Sequence, residues 1–240
     1  MNREKRYTVE DFLDIVETLR SENGCPWDRR QTHKSLKPCM MEEAAELVSS
    51  IRIYDTTGNA ENMREELGDI LLQVVMHAQI AKEEGLFTFK DVVEEVSAKM
   101  VRRHPRVFAD ARTEGTEVSD GNWDEIKRRE KEGKAWIESP LREIPKELPA
   151  LTRASKVLKK ADKLYGAGKD YKSCVADLEE SVRRLSGLAP VSEDEGLGEI
   201  LGDMLVSLSD IARRYRISQE QVLTDRVENL IDRYEPLKKP

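Results

Sequence analysis

The sequence predicts an all-α protein, built from two helical bundles in tandem with the second a degenerate copy of the first. Three observations carry this reading. Apolar residues recur at the three- and four-residue spacing of a helix face through most of the chain. No stretch sustains the period-two alternation of a half-buried strand. The chain also matches itself in order: Leu67-Gly68-Asp69-Ile70-Leu71 recurs as Leu201-Gly202-Asp203-Met204-Leu205, as a duplicated unit would.

Thr8 and Asp11 form a capping box ahead of Phe12, Leu13, Val16 and Leu19, so the first helix starts there. The stretch from Ser21 to Pro38, with Gly24, Pro26 and Pro38, reads as a loop. Met40, Met41, Ala44, Leu47, Val48 and Ile51 then mark one helix, and Met63, Leu67, Ile70, Leu71, Val74, Val75 and Ala78 another. Between them Tyr54-Asp55-Thr56-Thr57-Gly58-Asn59 is rich in turn formers and folds the two back antiparallel. Thr88 with Asp91 caps a further helix through Val92, Val96, Met100 and Arg103, ended by His104-Pro105.

Proline steps at Ser139-Pro140, Ile144-Pro145 and Leu148-Pro149 cannot continue a helix and mark a linker. The expected division is a first domain at 1–135, a linker at 136–149 and a second domain at 150–240. In the second, Leu178, Val182 and Leu185 share one helix face, and Leu201, Leu205, Leu208 and Ile211 another. Gly166-Ala167-Gly168-Lys169 reads as a helix-ending turn, too short for a P-loop.

The chemistry concentrates in the first hairpin. Glu42-Glu43-x-x-Glu46 lies on one helix and Glu66-x-x-Asp69 on the next. Residues three apart share a face, so Glu43 pairs with Glu46 and Glu66 with Asp69. Glu46 and Asp69 are equidistant from the turn, which brings the pairs to one level. A single such pair is ordinary on a solvated helix. Two that converge repel one another unless a cation intervenes, and an all-oxygen cluster suits a hard divalent ion. Lys99, Arg102 and Arg103 fall on one face of the next helix; spacing alone fits either a solvated basic helix end or phosphate contacts.

Other classes fit poorly. A net charge of −7 over 240 residues argues against long nucleic acid as partner. No run approaches the roughly 18 apolar residues of a membrane span, and the first residues lack a signal-peptide core. Cys25, Cys39 and Cys174 show no CxxC spacing and suit reduced thiols packed in a cytoplasmic protein. No histidine follows a glutamate by three, as di-iron bundles require, and His77 reads as a core residue within an apolar run.

Gly24-Cys25-Pro26-Trp27-Asp28, Gln31-Thr32-His33, the two carboxylate motifs and Arg102-Arg103-His104-Pro105-Arg106-Val107-Phe108 together resemble the MazG family of nucleoside triphosphate pyrophosphohydrolases. The resemblance is dense over residues 8–132 and fainter beyond, where a degenerate MazG-like domain would follow. It implies an all-α bundle, a homodimer or larger assembly, and hydrolysis of NTP or dNTP to the monophosphate and pyrophosphate with Mg2+, or Mn2+ in its place. It assigns the metal to Glu43, Glu46, Glu66 and Asp69, and leaves Glu42 or Glu46 to orient the water. Lys99 and Arg103, with Arg102 beside them, would contact the triphosphate. Trp123 and Lys127 would contact the nucleotide, although Trp123 fits core packing nearly as well, and Trp27 reads first as a core or loop anchor.

The second copy departs from this pattern. Arg183 stands in the place of Glu46, Ile200 in that of Glu66 and Asn229 in that of Lys99, and only Glu180 and Asp203 remain of the ligand set. It should therefore be catalytically silent, with Arg183 either paired to Asp203 or Glu180 or left exposed to solvent. Three functional readings stay open at this point: broad nucleotide-pool cleansing, a narrower dUTP/dCTP- or phosphoribosyl-ATP-type enzyme, and a non-catalytic scaffold.

Overall fold

The computed structural model describes residues 6–108, 130, 138–187 and 195–235. Every regular element among them is an α-helix, as the apolar spacing predicts. The chain divides into two units, one within residues 1–126 and the other within 127–240. Among the described residues no helix is long and apolar enough to cross a membrane.

The first unit holds α1 (Val9–Arg20), α2 (Pro26–Arg29), α3 (Lys37–Thr57), α4 (Glu61–Glu83), α5 (Phe89–Arg103) and α6 (Pro105–Phe108). Both expected capping boxes form, Thr8 with Asp11 and Thr88 with Asp91, each side chain accepting from the backbone N–H of its partner. The segment expected to be a loop up to Pro38 is more ordered than that. Pro26 opens the short α2, and Pro38 stands in the first turn of α3, where proline loses no helical hydrogen bond. The turn between α3 and α4 is also shorter than the sequence suggests. Tyr54–Thr57 continue the helix, which Gly58 ends in the left-handed region.

The core lies at the end of the hairpin away from that turn. Val16, Leu36, Val75, Met76 and Ile80 are almost fully buried there, with Phe12, Leu13, Leu72 and Phe89 packed around them. Gly24 lets the chain turn close beneath α1, because a Cβ there would lie 2.3 Å from the carbonyl oxygens of Thr18 and Leu19. Arg20 fastens the turn. Its guanidinium donates to Asp28 O at 2.6 Å and Gln31 O at 3.2 Å, and grips Glu83 at 2.9 and 2.6 Å, so one side chain joins α1, the α2 segment and the end of α4. The Arg20 side chain is 5% exposed and that of Glu83 38%. The arginine holds the Glu83 carboxyl below its ordinary range, chiefly by hydrogen bonding.

The second unit holds α7 (Ala150–Tyr165), α8 (Tyr171–Ser186), α9 (Glu195–Arg214) and α10 (Gln219–Tyr234). Asp170 caps α8 and Ser218 caps α10. Ahead of α7, Glu143 pairs with Lys160 at 2.6 Å and Ile144 is 7% exposed. The interior is unusually polar. Asp210, 6% exposed, accepts from the buried Cys174 thiol at 2.9 Å and from Arg213 and Arg214. The Leu201, Leu205 and Leu208 stripe, expected to pack inward, is 44–49% exposed; Ile200, one residue around the helix, is buried instead, as are Ser209 and Asp210.

The α4 and α9 helices end alike. After α4, Leu86 N donates to Ala81 O and Gly85 N to Lys82 O, with Gly85 at φ +69°. After α9, Ile217 N donates to Ala212 O and Arg216 N to Arg213 O, with Arg216 at φ +57°. Both are Schellman turns, but in the second a β-carbon is forced into a conformation that suits glycine.

Because the Arg20 fork ties α1 to acceptors on two other segments, Arg20→Ala should lower stability by about 2–3 kcal/mol, between the values for exposed and buried pairs. Arg20→Lys should recover little, since an ammonium cannot span the same acceptors. Chemical denaturation measures both, and a lysine variant of wild-type stability would refute the clamp.

Candidate metal centre

Helical spacing puts Glu43 and Glu46 one turn apart on α3, and Glu66 and Asp69 one turn apart on α4. The antiparallel turn at Gly58 brings the two faces together. Carboxylate oxygens of Glu43, Glu46 and Glu66 all lie within 4.8 Å of one another. Asp69 stands outside that trio, yet its charge is the largest of those that raise the Glu43 pKa.

The cost of this convergence falls on Glu43. Burial raises its pKa most, followed by Asp69, Glu46, Glu66 and last Glu42. Glu42 is exposed and roughly 100° around the helix from Glu43, which explains its minor share. Asn62 Nδ2 donates to Glu66 Oε1 at 2.8 Å and orients that carboxylate from one turn away. Asn62 escaped the sequence reading, although its i, i+4 spacing to Glu66 was visible there. The donor set fits a hard divalent cation: it is all oxygen, crowded and short of compensating positive charge.

Of the other predicted residues, Lys99 and Arg103 are half-buried on α5, which packs against α4, while Arg102 is exposed. Trp123 and Lys127 lie outside the described residues. Trp27, read as a core or loop anchor, is 55% exposed; its backbone carbonyl, not its ring, makes the local contact, accepting from Gln31 Nε2 at 3.0 Å. His77 is not a solitary core histidine. It is half-buried and its ring meets that of His33 edge to edge, with the two Nδ1 atoms 2.8 Å apart.

The α8 and α9 helices of the second unit carry different chemistry. Arg183 is 71% exposed and pairs at the surface with Glu180 at 2.7 Å, so the two alternatives expected for it, exposure and pairing, hold together. Asp203 is taken by Arg184 at 3.1 Å. Ile200, in the place of Glu66, is 3% exposed. Guanidinium groups thus neutralise the acidic residues that remain. A cavity of about 410 Å³ opens beside them, lined in part by Lys169, Asp177, Arg184, Asp203 and Asp210.

A family model described as the MazG nucleotide pyrophosphohydrolase domain matches residues 31–108, a span that includes the whole carboxylate hairpin. The chain is 36% identical, over 98% of its length and 87% of the relative's, to the nucleoside triphosphate pyrophosphohydrolase/pyrophosphatase MazG of Thermotoga maritima. It is 36% identical to the nucleoside triphosphate pyrophosphohydrolase of Escherichia coli K12, over 90% of this chain and 81% of that protein. It also matches the uncharacterized protein YabN of Bacillus subtilis at 42% identity, over 89% of this chain but 42% of that protein.

Glu43 sets a pH dependence for the metal-free protein. A raised folded-state pKa means that stability is full below the ordinary value of 4.5 and declines as pH rises through the folded value. Glu43→Gln should remove that decline, so that in chelator the variant gains on wild type as pH rises towards neutrality. Thermal unfolding across this range reads the effect, and a difference independent of pH would contradict the crowded-carboxylate account.

Proposed function

The chain belongs to the MazG nucleotide pyrophosphohydrolase family, and from that premise we propose that its first unit hydrolyses nucleoside triphosphates, ribo- and deoxyribo- alike, to the monophosphate and pyrophosphate. The observation that carries the reading is the convergence of Glu43, Glu46 and Glu66, with Asp69 close enough to perturb Glu43. Held by these four residues, a Mg2+ or Mn2+ ion would supply Lewis acidity toward the triphosphate and lower the pKa of a water.

The chain's own groups account for the rest. Glu42 or Glu46, exposed at the edge of the cluster, accepts a proton from the attacking water. Asn62 fixes the Glu66 carboxylate so that the donor set is preorganised. Lys99 and Arg103 supply positive charge toward the departing pyrophosphate, Arg103 as a fork and Lys99 as a point charge. Trp123 and Lys127 are proposed to contact the nucleotide. Attack at the α-phosphorus follows from family membership, since carboxylate spacing alone does not choose between phosphorus atoms.

The second unit is proposed to be a decayed copy that keeps a folded bundle without the chemistry. The ion pairs of Arg183 and Arg184 and the burial of Ile200 support this. The deciding experiment incubates the protein with each common ribo- and deoxyribonucleoside triphosphate and Mg2+, with products resolved by chromatography. Monophosphate and pyrophosphate are expected from several bases; nucleoside diphosphate and orthophosphate as first products would refute the assignment. Glu43→Gln and Asp69→Asn should each cut turnover by roughly a hundredfold or more, whereas Asp203→Ala should leave it unchanged.

Assembly is proposed from the apolar stripes. Val48 and Ile51 on α3, Leu67 and Leu71 on α4, and Val93 and Val96 on α5 are each 41–59% exposed. That is more apolar surface than a monomeric bundle ordinarily leaves to water. A homodimer joined through the first units would cover it. Light scattering at micromolar concentration should report at least twice the 27.5 kDa chain mass, and a fully active monomer would exclude this arrangement.

A further inference from the structure

The α3–α4 hairpin is closed at one end by the turn at Gly58, and its carboxylates lie part-way along. At the other end the two helices are joined by side chains. His33, on the segment that leads into Lys37 at the start of α3, meets His77, about two turns beyond Asp69 on α4. The rings lie edge to edge in nearly one plane, with centroids 5.0 Å apart, planes within 2° and the Nδ1 atoms 2.8 Å apart, as an in-plane hydrogen bond between ring nitrogens requires. We propose that His33 and His77 form a proton-operated latch across this open end, holding Glu43 and Glu46 in register with Glu66 and Asp69 until both imidazoles are charged. The link to cation binding rests on the metal reading of the cluster.

The segment that carries His33 is stiff enough to transmit the contact. Thr32 N donates to Ser35 Oγ at 2.9 Å and Ser35 N to Thr32 Oγ1 at 3.1 Å. Leu36, at the N-cap of α3, is 2% exposed within the core. A shift of His33 therefore shifts the start of the helix that bears Glu43.

Proton counting gives the latch its switch. In the neutral pair one Nδ1 donates and the other accepts. Glu84 Oε2, 3.8 Å from His33 Nε2, favours hydrogen on that Nε2, so His33 Nδ1 accepts from His77. One added proton is tolerated, because one of the two Nδ1 atoms can still stay bare and accept from the other. A second added proton leaves two N–H groups face to face and two positive charges at contact, and the bond is lost. The titratable or charged groups set against the pair are the two imidazoles themselves and Glu84. Burial first, and His33 second, hold the His77 pKa below 6.5, so the opening step lies on the acid side of that value. For a depressed histidine, stability is present above the ordinary value and lost as pH falls through the folded one.

Two measurements on the full chain test the latch. Ring-nitrogen NMR without metal, between about pH 8 and pH 4.5, follows both imidazoles through their titration range. Two coupled steps are expected, the second accompanied by shifts of the Thr32–Leu36 backbone amides. Independent titrations with no amide response would overturn the proposal. The second measurement is Mn2+ affinity by water-proton relaxation, for wild type and for the double variant His33→Gln with His77→Gln. Wild-type affinity should fall by up to about tenfold per pH unit below the second step in excess of the variant, whose amides gain no proton and which should weaken only as the carboxylates titrate. Identical pH profiles would overturn the latch. If wild type bound no Mn2+ at any pH, the metal reading would fall, and the ring-nitrogen titration on wild type would still decide the latch.

Discussion

Like-charge repulsion inside one helical hairpin is the constraint on which the first unit is built. Glu43 bears it most directly, with its pKa raised by burial and by four neighbouring carboxylates. A hairpin carrying such a cluster tends to splay, and the residues around the cluster offer little apolar packing to resist. Met41, Val48, Leu67 and Leu71 are 41–59% exposed. Restraint comes from outside the cluster: the turn at Gly58, the core around Val75, Met76 and Ile80, and the Arg20 fork at the far end of α4. The chemistry and the stability of the unit are thus set at opposite ends of the same two helices.

The second unit is also helical, but its acids are matched by cations: Arg183 pairs with Glu180 and Arg184 with Asp203, and Ile200 is buried. Its interior is not wholly apolar. Asp210, Cys174, Arg213 and Arg214 form a buried polar network, and the Ser209 hydroxyl is fully buried without a hydrogen-bond partner. Arg216 keeps a left-handed turn that Gly85 makes without strain in the first unit.

Much of this was legible in the sequence because it is local. Capping boxes at Thr8 and Thr88, the helical stripes and the carboxylate spacing all lie within a few residues of their partners, where periodicity and cap chemistry act. Helix limits were less legible. Tyr54–Thr57 look like a turn by composition but continue α3, because threonine hydroxyls can bond back to the preceding turn: Thr56 and Thr57 both donate to Ile53 O. What the sequence did not reveal are contacts between distant residues. Arg20 with Glu83 spans 63 positions and His33 with His77 spans 44, and neither residue of either pair carries a local signal of its partner. The sequence also left Arg183 a choice of partners; the adjacent Arg184 reaches Asp203, leaving Arg183 to Glu180.

The position of the exposed apolar stripes bears on how the proposed site is completed. They run along α3, α4 and α5, the helices that carry the carboxylates and the Lys99–Arg103 cations. A partner that covered these faces would exclude water close to the cluster, strengthen every charge interaction within it, and raise the cost of leaving the carboxylates without a cation. Cation binding and assembly would then be linked, each favouring the other through the same four acidic residues. The half-buried setting of Glu43 in a single chain is on this view an intermediate condition, tolerable because water still screens it. Its burial would deepen in an assembly, where only a bound cation makes the convergence of Glu43, Glu46, Glu66 and Asp69 stable.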